Sequence, residues 1–407
     1  MRLSTANLYD TSIANLQRRQ NTLQHQQQQL TSGKHVQQAS DDPTAAARAE
    51  RAQVAVDRVN ANQRALEASR NSMTLSESAL GDANDLLQQA RETVVAAGNA
   101  SYSDAERKGL ADKLQGIRNQ LLSIANRPDG SGGYIFSGQG SSNPPFLDQA
   151  AGVSYVGTPG KIQTGNLDSY QMSVDGRATW EQARSGNGFF VTDAGTNPTS
   201  IPPGAAAQGW IDPGSVTNPS KLTGLSYSIS ITGTAPAAQS YTIAPPPSDG
   251  TAATGTFKPG ISIGFDGLAV TISGAPVNGD NFTIAPATNS LKVFDVLDKT
   301  IAELKTPLRT GTQIAQSNSN RLRDLDAVMG NMQSVRSQIG EQLNNLDGSE
   351  SRLSGLKLYA TQEKSAAEDV DMVQAISDFQ NQQTGYDAAL KSYAMVQRMS
   401  LFQYINS

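Results

Sequence analysis

Cysteine is absent from the 407 residues, which excludes disulfides, thiol catalysis and cysteine-ligated zinc. Histidine is almost absent. His25 and His35 stand ten residues apart with no third ligand at metal spacing, so neither a metal nor any other cofactor is expected. Aromatic residues make up 6% and hydrophobic residues 37%, with a mean hydropathy of −0.42. That is thin for a compact enzyme of this length. It suits a long helical body, whose seams bury less area per residue. No apolar run approaches the roughly 18 residues of a membrane span, so membrane insertion is not expected. The opening Met1-Arg2-Leu3-Ser4-Thr5 lacks the apolar core of a cleaved signal peptide. A basic excess is missing too: the net charge is −5 and the pI about 5.2, which argues against a nucleic-acid partner. No phosphate-binding or dinucleotide-binding glycine loop is present, since Gly138-Gln139-Gly140 is only a fragment. No catalytic function is expected.

What the chain does have is periodicity. Tyr9, Leu16, Leu23 and Leu30 recur every seven residues, and so do Val59, Leu66, Met73, Leu80, Leu87 and Val94. Between the two runs lies Leu30-Thr31-Ser32-Gly33-Lys34, then Ala39-Ser40-Asp41-Asp42-Pro43. Gly33 is a natural helix stop; Asp42 as N-cap with Pro43 in the first turn is a natural start. The first run has few anchors, with Gln20 and Gln27 at alternate seam positions. Such sparse burial offsets little of the ordering entropy, so this segment is expected to be mobile alone and ordered by partners. The second run is stronger. Four residues before each apolar position sits a small or short residue: Ala55, Asn62, Ser69, Ser76, Ala83 and Ala90. Small residues there let a neighbouring helix approach closely. Gly98-Asn99 ends this helix, and Ser103 with Glu106 has capping-box spacing for the next. The pair predicts an antiparallel helical hairpin.

At Pro128 the composition changes. Of 18 prolines, only Pro43 and Pro307 fall outside residues 128–286. Short alternating segments appear at Ile135-Phe136, Val153 to Val156, Tyr227 to Ile231, Ile261 to Ile263 and Leu268 to Ile272. Turn signals such as Asp175-Gly176, Asp266-Gly267 and Asn278-Gly279 separate them. The stretches Thr196 to Pro219 and Ala244 to Gly250 read as loop. Helical patterning returns at Ser290, with Leu291, Phe294, Leu297, Ile301 and Leu304 on one face. It continues as a seam through Leu325, Met332, Ile339 and Leu346, and a break is expected at Asp347-Gly348. Phe379, Tyr386 and Tyr393 recur at seven with Leu390 between, and the chain ends in an apolar tip holding Leu401, Phe402 and Ile405. Such a tip points to a surface buried on assembly.

The expected fold is α+β. Both chain ends form an elongated antiparallel helical bundle or coiled coil, and an all-β domain, one or two, is inserted in the middle. The expected boundaries are 1–42 and 349–407 for the terminal assembly helices, 43–129 and 290–348 for the helical body, and 130–289 for the β region. Val59 to Val94 with Leu325, Met332 and Ile339 would be its core. Asp41-Asp42 is better explained by capping than by paired catalytic carboxylates, and Glu368, Asp369 and Asp371 by a solvated helix start or face than by cation binding.

The two helical ends, roughly 1–140 and 290–407, resemble the bacterial flagellin family. The motif from Leu30 to Lys34 with Ser40-Asp41-Asp42-Pro43 carries that resemblance, together with Gly133-Tyr134-Ile135-Phe136-Ser137-Gly138 and the end from Tyr386 to Ile405. Within the family these forms, with the opening Met1 to Thr5, are closer to the hook-associated members than to filament subunits. The resemblance implies a structural adaptor between hook and filament of the bacterial flagellum, exported unfolded by the flagellar type III apparatus. It implies partners: copies of itself in a ring, the first hook-associated protein on the hook side, flagellin on the filament side, and a cytoplasmic export chaperone. The β region from about 178 to 290 departs from a minimal member. Two alternatives stay open: a filament flagellin, and a secreted adhesin or glycan-binding module using Trp180, Trp210 and Tyr227.

Overall fold

The computed structural model describes residues 5–164, 169–200, 204–233 and 238–405, with side chains from Asp10 to Met395. Its helices are α1 (Thr5–Ser32), α2 (Pro43–Ala97), α3 (Asp104–Ala125), the short α4 (Gly176–Trp180), α5 (Val293–Lys305), α6 (Gly311–Glu368) and α7 (Met372–Ile405). The strands all lie between Phe146 and Leu291. The chain divides into a terminal unit (Met1–Arg64 with Gly348–Ser407) and a central unit (Ala65–Asp347). Helices α2 and α6 contribute residues to both.

In the central unit the α2 heptads do what their spacing requires. Leu66, Met73, Leu80, Leu87 and Val94 are buried, and so are the intervening Ser69, Ser76, Ala83 and Ala90. Helix α6 supplies the facing set, Leu325, Met332, Ile339 and Leu346, again every seven residues. Arg70 meets Asp347 at 2.7 Å, Arg336 meets Glu77 at 2.5 Å and Arg91 meets Asp326 at 2.6 Å, so the two helices run antiparallel. Exposed pairs of this kind are worth about 0–1 kcal/mol each and set register more than stability. The seam break expected at Asp347-Gly348 is not there: α6 is continuous to Glu368, because heptad burial continues through Leu353, Ala360 and Ala367. One small residue does more than admit a neighbour. The buried Ser69 hydroxyl donates to Gln171 O at 2.6 Å, satisfying a strand carbonyl.

Helix α3 opens with the expected capping box, Ser103 and Glu106 bonding reciprocally. It returns along α2, with Arg107 donating to Ala97 O near one end and Arg127 pairing with Asp82 near the other. Arg118 on α3 is buried, yet it grips Asp148 at 2.7 Å and Asp298 at 2.5 Å. The two carboxylates hold its charge firmly on, and it in turn lowers the Asp148 pKa. One guanidinium therefore ties α3 to α5 and to the strand Phe146–Gln149.

The middle of the chain serves two cores. Ile135, Phe136, Phe146, Val153, Val174, Trp180 and Ala183 pack into the helical core with α5. Trp180 stacks on Phe294 at 5.7 Å and meets Phe136 edge-on. Ile135-Phe136, expected as a strand, is irregular chain plugged into this core. Asp175-Gly176, expected as a hairpin turn, starts α4 instead, with the Asp175 carboxylate accepting from Arg177 N and Ala178 N. Residues 190–286 build the second core, with Ile211, Ile229, Ile231, Val270, Ile272 and Phe282 at its centre. Its five-stranded antiparallel sheet runs in the order Thr254–Thr256, Ser240–Ala244, Tyr227–Thr232, Asn281–Pro286, Phe190–Ala194. Ile229 lies opposite both Ile243 and Phe282, so one face is apolar. A second sheet centres on Leu268–Gly274, joined to Ser262–Phe265 by the Asp266-Gly267 turn, both residues at positive φ as a two-residue hairpin of this chemistry requires. The stretch from Thr196 to Pro219 is not simply loop. Its described residues include the strand Gly209–Ile211, and Ile211 is fully buried, which the surrounding Gly, Ala and Pro concealed.

Leu80→Ala should destabilise the chain by about 2–5 kcal/mol, because it empties a fully buried seam position. Val54→Ala, at an exposed position on the same helix, should be close to neutral. Urea melts of the two variants check this, and equal losses would refute the seam assignment.

Candidate assembly surface

The terminal unit has no core of the same quality. Leu16, Leu23 and Leu30 recur at seven along α1, and Phe379, Tyr386 and Tyr393 along α7. The helices run antiparallel, since Lys34 bridges to Asp369 and Arg19 lies against Gly385, where an added Cβ would come within 2.7 Å of the Arg19 Nη1. All six seam residues stop at half-burial. Leu390 remains 40% exposed and does not join them; Ile13 and Ile376 also face outward. The side chains of Tyr9, Leu401, Phe402 and Ile405 lie outside those described. A two-helix pair buries one stripe per helix and leaves the rest of each surface open.

Helices α2 and α6 are paired within the same unit as well. Val59 is buried on α2, and Leu353, Ala360 and Ala367 on α6. Lys364 reaches Gln53 at 2.7 Å and Lys357 reaches Gln63 at 3.4 Å, in the same antiparallel sense. Leu356, Leu358, Tyr359 and Val373 face away from both seams and are exposed.

The stretch from Leu30 to Pro43 is stitched to a second break in the chain. Gly33 leaves α1 at φ +72, the left-handed conformation that glycine adopts without strain. Val370 N then donates to Gly33 O at 2.9 Å, and His35 N to Glu368 O at 2.8 Å. Lys34 Nζ pairs with Glu368 at 3.0 Å. The break between α6 and α7, at Asp369 to Asp371, therefore sits beside the break between α1 and α2. Sequence reasoning placed the main break at Asp347-Gly348 and read Glu368, Asp369 and Asp371 only as a solvated helix start or face. A signal was present: Asp371 is a capping residue directly before Met372, and its carboxylate accepts from Val373 N and Gln374 N.

Each acidic residue of the motif has a structural partner. The Asp42 carboxylate accepts from the Thr44 hydroxyl, Thr44 N and Ala45 N, capping α2 in front of Pro43. The Asp41 carboxylate accepts from Gln37 N and Gln38 N and lies 3.5 Å from His25. Those backbone amides lower the Asp41 pKa, with His25 adding less. The Thr44 hydroxyl and then the Ala45 amide lower that of Asp42. Ser40, just before them, is exposed.

Among the described residues no group of three or more His, Cys, Asp or Glu is arranged to hold a metal ion. A G-x-S-x-G run does occur, Gly260-Ile261-Ser262-Ile263-Gly264, but Ser262 begins a β-strand rather than topping a strand-to-helix turn. The aromatic platform suggested for the β region does not form either: Trp180 and Tyr227 are buried and Trp210 is half-buried. Tyr227 spends its hydroxyl on Asp266 at 2.6 Å.

Comparison with known proteins agrees with this geometry. Residues 3–141 match the bacterial flagellin N-terminal helical region, and residues 208–286 match the D2-like domain of flagellar hook-associated protein 1. Flagellar hook-associated protein 3 of Escherichia coli is 28% identical over 415 residues, covering 99% of both chains, and that of Salmonella typhimurium is equally similar. Among solved structures, the Legionella pneumophila flagellar hook associated protein-3 superposes with a TM-score of 0.69 at 26% identity, over 77% of this chain and 97% of its own. Xanthomonas campestris FlgL gives 0.64 at 29% identity, over 77% and 99%.

Two outcomes are expected. The capping carboxylates stabilise the motif fully above their unfolded value, about 3.9, and that contribution is lost as pH falls through their lower folded values. Amide exchange over Gln37 to Ala45, corrected for intrinsic rates, should stay flat down to about pH 4 and accelerate below it. Asp42→Asn, which caps without titrating, should remove the dependence at Thr44 and Ala45; acceleration already at about pH 6 would contradict the assignment. Second, replacing Leu23 and Leu30 together with aspartate would place charge in the α1–α7 seam. The melting of the central unit should not change, while incorporation into flagella is lost; normal incorporation would refute the seam.

Proposed function

We propose that this chain, a member of the flagellin family, is a structural adaptor that joins hook to filament in the bacterial flagellum and polymerises through its terminal helices. The observation that carries the reading is the α1–α7 pair, whose seam residues stop at half-burial while the α2–α6 seam is closed. A pair left half-open is a surface awaiting neighbours. Similarity to flagellar hook-associated protein 3 over 99% of both chains supports the same conclusion. The role is structural, not enzymatic.

In this reading the partners are copies of the chain in a ring, the first hook-associated protein below and flagellin above. Residues 1–42 and 349–407 are the assembly helices, 43–129 and 290–348 the helical body, and 130–289 the outward-facing part. Tyr9, Leu401, Phe402 and Ile405 extend the assembly seam. The chain is exported unfolded through the flagellar type III apparatus, with a cytoplasmic chaperone covering its C-terminal region. The lack of cysteine removes disulfide obstacles to that passage, and the weakly packed terminal pair lowers the cost of unfolding it.

A clean deletion in the source bacterium tests the proposal, read by electron microscopy and by assay of flagellin in the medium. Hooks without filaments, with flagellin lost to the medium and filaments restored by the intact gene, are expected. Normal filaments would overturn the reading. Absent filaments with no flagellin in the medium would make this chain the filament subunit. Limited proteolysis of the purified chain should trim both ends first and leave a core near 44–350.

A further inference from the structure

One charge on the terminal helix pair is held in place but unanswered. Arg19 of α1 crosses α7 at Gly385, where the absence of a Cβ leaves room for its guanidinium. Beside the crossing the two helices leave a groove of about 600 Å³, with Leu16, Arg19, Gln382, Ala389 and Tyr393 among its lining residues. Arg18 stands at the groove too and donates only to neutral oxygens, Asn15 Oδ1 at 2.6 Å and Ala14 O at 3.3 Å. No carboxylate lines the groove, and Arg19 makes no ion pair among the described residues. The groove therefore carries positive charge and an apolar floor, with nothing in the chain to neutralise it.

Helix α7 has two carboxylates, and neither reaches the groove. Asp378 accepts from Gln374 Nε2 at 3.0 Å. Asp387 is exposed and turned away. It stands five residues from Gln382 and two from Ala389, so at about 100° per residue it lies about 140–160° around the helix from both. Leu390, three residues on, shares that outer side and is 40% exposed. Height matters as much as side. The helices are antiparallel, so distances from the Arg19–Gly385 crossing can be counted along both at about 1.5 Å per residue. Asp387 then lies about 3 Å from the level of Arg19. Leu390 lies at about 7.5 Å, beside Leu16 at about 4.5 Å and Ala389 at about 6 Å. Lys391, one turn beyond Asp387, comes level with Ser12, where the groove lining is uncharged. One side of the pair thus presents a basic groove, and the other, at the same height, an aspartate and a leucine.

We propose that the α1–α7 pairs of successive copies pack front to back, Asp387 of one copy pairing with Arg19 of the next while its Leu390 enters the groove over Leu16 and Ala389. The two sides complement each other and not themselves, so the contact is heterologous. It continues from copy to copy around a ring or along a helix instead of closing a two-fold dimer. It gives Leu390 the burial that the α1–α7 seam within one chain does not. The proposal rests on the reading of the chain as an assembling flagellar subunit and names the faces that meet.

Charge reversal tests the pair. Arg19→Asp and Asp387→Arg are expressed in the deletion strain singly, together in one chain, and as two single variants in the same cell. Each single variant should lower filament-bearing cells by about tenfold or more, because like charges then meet at every contact. The double variant should restore them. So, in part, should the two single variants expressed together, since alternating copies again place opposite charges face to face. That rescue separates a contact between chains from one within a chain, where each copy would keep its own defect. Full counts with both single variants overturn the pair while leaving the adaptor reading intact. Rescue by the double variant with none by co-expression overturns the second copy as the occupant. A second measurement avoids charge reversal. Flagella built with Arg19→Lys, which keeps the charge, are treated with a carbodiimide that joins amine to carboxylate without a spacer. Mass spectrometry of the dimer band should find position 19 bonded to Asp387, and the unassembled chain should lack that bond. Its absence from flagella overturns the contact. Failure of the intact gene itself to restore filaments overturns the adaptor reading instead.

Discussion

The structure depends on one seam. Along α2 an apolar residue and a small one recur together every seven positions, and α6 answers from Leu325 to Ala367 with the same period. A seam of this kind stabilises two long helices only if both are present and antiparallel in the right register. That requires the chain to leave α2, travel some two hundred residues and return, so every intervening element is an excursion from one helix pair. The large insertion is tolerated because loop-closure entropy grows only slowly with length.

Around that seam the central unit spends its aromatic residues sparingly. Trp180, Phe136, Phe146 and Phe294 form one cluster where α3, α5 and the hairpin after Phe146 converge on the helical core. Arg118 performs the polar equivalent, holding α3, α5 and that hairpin together through two carboxylates. The second β core, from Phe190 to Ile284, is built on isoleucine alternation together with the aromatic rings of Phe190, Tyr227, Phe257, Phe265 and Phe282. Its junction with α6 is polar: Gln316 bonds Ile211, Asn320 bonds Asp193 and Arg323 bonds Thr192. Hydrogen bonds in place of apolar packing at that junction make it a place where one part can vary without unfolding the other.

The terminal unit shows the opposite economy. Its helices are defined by stops and caps rather than by a closed core: Gly33 and Asp42 on one side, Asp371 on the other, laced through Lys34, His35 and Glu368. Local hydrogen bonds fix where the chain turns, while the α1–α7 seam remains half-exposed. That division keeps the turning points fixed and leaves apolar surface open on the helix pair.

The sequence alone determined the long helices, the break from Gly33 to Pro43, the capping box at Ser103 and the Asp266-Gly267 hairpin. Each rests on spacing or on local backbone chemistry, which a linear chain displays directly. Only the tertiary structure decided the rest. Ile135-Phe136 became a core plug instead of a strand, and Asp175-Gly176 a helix start instead of a turn, because their fate depends on what packs around them. The seam of α6 ran past Gly348 through Leu353, Ala360 and Ala367, because one glycine costs a helix less than a continuous partner returns. The ion pairs of Arg118 and the pairing of the break at Asp369 with that at Gly33 were invisible in the sequence, since a buried ion pair and a register between distant helices are properties of space, not of order along the chain.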